Sequence, residues 1–103
     1  MSKLRQYLTE ERLNTQDKRS LLKLIDKPKK STFVLKSFAK NYDESEREVD
    51  VHPGNRGLTF EYNADFFELT NTLIDIADTS GYEFKSKTER NINTTAFTII
   101  KGK

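Results

Sequence analysis

The sequence predicts an α+β fold, a single domain of order α-α-β-β-β-α-β-β. Three observations carry this. Apolar residues alternate with polar ones in short runs at 48–52, 58–62 and 82–87, and the stretches 31–40 and 95–100 also read as strands. One long stretch, 64–80, instead spaces its apolar residues at helical intervals. Turn-forming residues, "HPGNRG" and "ERNINT", join the alternating runs in pairs, as antiparallel hairpins require. A length of 103 residues favours one domain. With 34% hydrophobic and 33% charged residues, the core is small, and seven Phe and four Tyr must supply much of its buried area.

The elements follow in chain order. Leu4, Tyr7, Leu8 and Leu13 suit a short helix, so residues 1–16 read as a helical extension ahead of a domain spanning 17–103. Asn14-Thr15 marks a break and a new N-cap. Leu21, Leu22 and Ile25 then predict a second helix from about Gln16 to Asp26, stopped by Pro28. "STFVLKSFAK" is β-branched and aromatic and reads as a strand, while "NYDESERE" reads as a solvated, mobile loop. Val49 and Val51, then Leu58, Phe60 and Tyr62, form a hairpin around "HPGNRG". Asn63 is placed as the N-cap of the long helix, Ala64 to Ser80. Its apolar stripe is Phe66, Phe67, Thr70, Leu73, Ile74 and Ala77, and Gly81 fits the position just past its end. Tyr82 and Phe84, then "TAFTIIKGK", make the closing hairpin.

Several chemistries lack their residues. There is no cysteine, which excludes disulfides and thiolate metal sites. The one histidine, His52, precedes a proline in turn-like sequence and reads as structural or solvent-exposed. The acids between Asp43 and Asp50 lack the spacing and glycine of a calcium loop. No phosphate-binding glycine loop and no nucleophile–base–orienter set is visible. The expectation is a protein without enzymatic activity, metal or cofactor. With no long apolar run and no signal-peptide core, it is expected to be cytoplasmic, away from membranes.

Charge is the most informative feature. The total is only +2, but residues 17–40 hold eight Lys and Arg against two acids. Residues 41–83 hold two Arg against eleven acids, and residues 84–103 five Lys and Arg against one. "KLIDKPKKSTFVLK", Lys23 to Lys36, concentrates the first basic block at a helix-to-strand corner. If the strands carrying the two basic blocks are neighbours, Lys29, Lys30, Lys36, Lys40, Lys85, Lys87 and Arg90 form one basic sheet face. Such a face would neutralise the phosphates of a nucleic acid. If the lysines are instead scattered beside an acidic ridge, a protein partner is favoured, met through Asp43 to Asp50.

"DKRSLLKLIDK" followed by "FVLK" resembles the start of the C-terminal, double-wing DNA-binding domain of the middle-promoter transcription activator (MotA) family of T-even phages. The later order, "LTFEY", then "DFFELTNTLIDIADTSG", then "FTIIKGK", is similar in pattern, so the resemblance spans about Asp17 to Lys103. Lys30 to Thr32 are additional before the FVLK-like strand, and "DESEREVD" has no counterpart. The resemblance implies a central helix flanked by β-wings and a phage-type protein that lies on duplex DNA, in regulating transcription. The alternative is a small phage effector that binds and inhibits a host or phage protein.

Overall fold

The computed structural model describes residues 13–101. The helix expected around Leu4, Tyr7 and Leu8 lies outside them. From there on, the α-β-β-β-α-β-β order is as expected: α1 (Thr15–Asp26), β1 (Ser31–Val34), β2 (Glu48–Pro53), β3 (Gly57–Asn63), α2 (Phe67–Ser80), β4 (Glu83–Glu89) and β5 (Thr94–Ile100). The strands form one antiparallel sheet in the order β1-β2-β3-β5-β4. Both hairpins fall where the turn residues put them.

Alternation along the strands sends one set of side chains to a shared core. Val49, Val51, Leu58, Phe60, Tyr62, Phe97 and Ile99 point inward. Leu21 and Ile25 of α1 and Leu69, Leu73 and Ile76 of α2 cover them. The helices thus form one layer and the sheet the other, and the sheet's second face is left to solvent. β4 is exposed along its whole length, although Phe84 stacks on Phe97 at 5.1 Å.

Asn14 caps α1 as expected, its side chain accepting from the Asp17 N–H at 2.8 Å. At the other end Lys101 donates from Nζ to the Ile25 carbonyl at 2.8 Å, supplying a positive charge where the helix dipole is negative. Gly81 ends α2 with φ +74°, the left-handed conformation anticipated for it.

Four local expectations are corrected. The strand predicted over 31–40 stops at Val34. Beyond it, Asp17 captures the backbone N–H groups of Lys36 and Ser37, so the chain turns inward toward α1. Phe38 adopts φ 61°, and its ring joins those of Tyr42 and Phe66. Secondly, the acidic stretch is not a loose loop: Glu44–Arg47 form a 3-10 turn. The Glu46 carboxylate accepts from the Asp43 N–H at 2.9 Å, and Arg47 is buried, donating to the carbonyls of Leu35 and Tyr42. Thirdly, α2 starts at Phe67, not Ala64, because Asn63 Oδ1 folds onto the Asp65 N–H in a turn ahead of the helix. The stripe shifts accordingly. Phe66 is buried but Phe67 is 57% exposed, and the inward residues are Leu69, Thr72, Leu73, Ile76 and Ala77. Lastly, His52 belongs to β2, not to a turn.

Candidate functional site

Two charged regions stand out, on different faces of the molecule. The first is the corner between α1 and β1. Asp17, Leu21 and Ile25 face inward at i, i+4 and i+8, which turns Arg19 and Lys23 outward. Past the helix end, Lys27 and Lys29 reach the edge of the sheet. Lys23, Lys27 and Lys29 surround a groove of about 640 Å³, with Ser20 and Asp26 on its rim and Leu24 and Phe33 as its apolar part. Among the described residues none of these three lysines lies within ion-pair distance of a carboxylate; the pairs present are His52–Glu61 and Lys87–Glu89.

The second region is the outer face of the sheet, which strand register lays out in rows. One row runs Thr32, Asp50, Glu61, Ala96, Lys87 and the next His52, Thr59, Thr98, Lys85. Glu48, Asp50 and Glu61, with Asn63, Asn93 and Thr94, line a shallow polar concavity of about 340 Å³. The acids therefore occupy β2 and β3, while Lys85 and Lys87 share β4 with Glu83 and Glu89. Lys87 pairs with Glu89 at 3.7 Å.

The seven cations selected from sequence are thus divided. Lys29 and Lys30 precede β1 at one edge, and Lys36 and Lys40 sit in the turn that follows β1. Lys85 and Lys87 lie on β4, the opposite edge, and Arg90 opens the turn after it. Four strand steps separate the edges, about 19 Å at ordinary spacing. With β5 inserted between β3 and β4 and acids on β2 and β3, no single basic sheet face is formed. Lys23 in the last turn of α1 and Lys27 at its C-cap are the residues gathered with Lys29. Their i, i+4 spacing was visible, but the sheet edge they border was not.

Tyr62 is buried beneath α2, which pushes its phenol up to about 12, only partly offset by a hydrogen bond with the Thr70 hydroxyl. Its ring packs in the core. Among the described residues, no helix is long and apolar enough to cross a membrane. No protein-family model matches the chain, and no curated protein and no solved structure matches it either.

Proposed function

We propose that the chain is a nucleic-acid-binding module that engages the phosphate backbone through the α1–β1 corner. The observation that carries this is the convergence of Lys23, Lys27 and Lys29 on one groove without a carboxylate partner among the described residues. Cations not engaged in ion pairs are available to replace the counterions of a polyanion. Arg19 on the outer side of α1 and Lys30 beyond the groove extend the same surface. The double-wing resemblance favours duplex DNA and a phage-type regulatory role in the cytoplasm. Backbone contact of this kind orients a protein on a duplex without reading sequence.

The test is a salt titration of binding to duplex DNA, duplex RNA and single strands. In a Lys23→Ala, Lys27→Ala, Lys29→Ala variant, affinity should fall by a similar factor for every sequence. The slope of log affinity against log salt should drop by about 0.9 for each phosphate no longer neutralised, so by up to roughly 2.7. No binding by the parent protein at low salt rejects this reading. That result would favour the second one, an effector that meets a basic protein surface through the concavity lined by Glu48, Asp50 and Glu61. The gathering of those acids, with the lysines divided between two edges, is the specific observation on its side.

A further inference from the structure

We propose that Asp50, His52 and Glu61 form a binding site for a divalent first-row metal ion, best matched by Zn²⁺, on the outer face of the sheet. Their ligand atoms all lie within 4.8 Å of one another. The strands fix this arrangement. Asp50 and His52 are two apart on β2 and so share a face, and Glu61 on β3 stands directly opposite Asp50.

The geometry already approaches coordination. His52 Nε2 and Glu61 Oε1 share a hydrogen bond at 3.0 Å, and opening it to the roughly 3.4 Å that separates two tetrahedral ligands about 2.1 Å from one ion takes only a small movement. Bringing in Asp50 requires a movement on the order of 1 Å by side chains that are only partly enclosed. Thr32 Oγ1 donates to Asp50 Oδ1 at 2.8 Å, which fixes the carboxylate and leaves its other oxygen for a metal. Two carboxylates and a neutral imidazole balance a doubly charged ion, and imidazole with carboxylates suits Zn²⁺ better than Ca²⁺ or Mg²⁺.

A second observation points to a cation. Like charges placed directly opposite on one face of an antiparallel pair destabilise the sheet. Asp50 and Glu61 stand in that relation, with Glu48 on the same face. A bound ion turns this repulsion into attraction. Three ligands from the chain leave the remaining positions open toward solvent, so the site can also accept a donor from a partner.

The experiment is calorimetric titration of the untagged full chain with ZnCl₂, with melting followed in parallel. His52 is the sole histidine and there is no cysteine, so the imidazole signal in a nitrogen-resolved spectrum has one origin. One Zn²⁺ per chain, a shifted His52 ring signal and a raised Tm are expected. His52→Ala and Glu61→Gln should each weaken binding by at least about tenfold, and Thr32→Val, which removes only the orienting hydroxyl, by about tenfold. Asp50→Asn should match or exceed the parent's Tm without metal, and should lose the metal-dependent rise. Absence of stoichiometric Zn²⁺ binding would overturn the proposal, as would binding that persists unchanged in both His52→Ala and Glu61→Gln.

Discussion

The carboxylate of Asp17 holds both the backbone and the side chain of Ser37: one oxygen accepts from the Ser37 N–H at 2.7 Å and from its hydroxyl at 2.6 Å. It also accepts from the Lys36 N–H, while Ser37 Oγ accepts from the Asn14 N–H. Asp17 is 5% exposed, so water cannot replace it. Asp17→Ala strands these buried donors and is expected to cost about 3 kcal/mol. Urea unfolding measures it, and a change below about 1 kcal/mol would contradict this role.

Adjacent phenylalanines at the start of α2 should respond oppositely. Phe66 is fully buried against Phe38 and Tyr42, whereas Phe67 is 57% exposed. Phe66→Ala is expected to cost about 3–5 kcal/mol, from reduced burial and the cavity left behind. Phe67→Ala should stay within about 0.5 kcal/mol of the parent. Equal losses in the two variants would show that Phe67 is covered in solution.

The acidic stretch should distinguish between its members. Glu46 accepts from the Asp43 N–H, so Glu46→Ala should lose about 0.5–1 kcal/mol. Glu44 and Glu48 are exposed, and glutamine at either position should leave denaturation midpoints nearly unchanged. Amide exchange at Asp43 provides a local readout, because only Glu46→Ala should accelerate it.

Tyr62 should confer a loss of stability in alkali. Burial raises its folded phenol from 10.0 to about 12. Below the lower value the phenol is protonated in both states, and its contribution is fully present. Between the two values the unfolded chain releases the proton first, so stability falls with rising pH. The loss amounts to about 2–3 kcal/mol once both values are passed. Tyr62→Phe should have a visibly flatter stability profile across that window, and parallel profiles would contradict the assignment.

The strands and hairpins were legible because alternation and turn chemistry are local. Val49, Val51, Leu58, Phe60 and Tyr62 declare their inward face without reference to anything distant. The end of β1 was not legible. "FVLKSFAK" has strand composition throughout, and what stops it is a carboxylate about twenty residues earlier. The start of α2 was misplaced because Asn63 suits a cap and a turn equally, and its partner decides between them. For the charged regions, sequence identified the basic corner but not which lysines converge there. That depends on strand order, which places Lys29 and Lys85 near opposite edges of the sheet. The triad of Asp50, His52 and Glu61 was missed for the same reason, since Glu61 reaches the other two only through pairing register.

The insertion of β5 between β3 and β4 bears on how the chain behaves while it is being made. The strand that joins the two parts of the sheet is synthesised after the other four, and Lys101, just beyond it, holds the end of α1, the first described helix. A nascent chain ending before Thr94 can form the β2–β3 hairpin and individual helices. It cannot join β4 to the sheet, and Phe60 lacks its cross-strand neighbour Phe97. Until the ribosome has extruded residues 94–101, the apolar faces of β3 and α2 remain incompletely covered. Chaperone demand and proteolytic exposure should therefore persist until residues 94–101 have emerged, and fall abruptly once β5 pairs with β3 and β4.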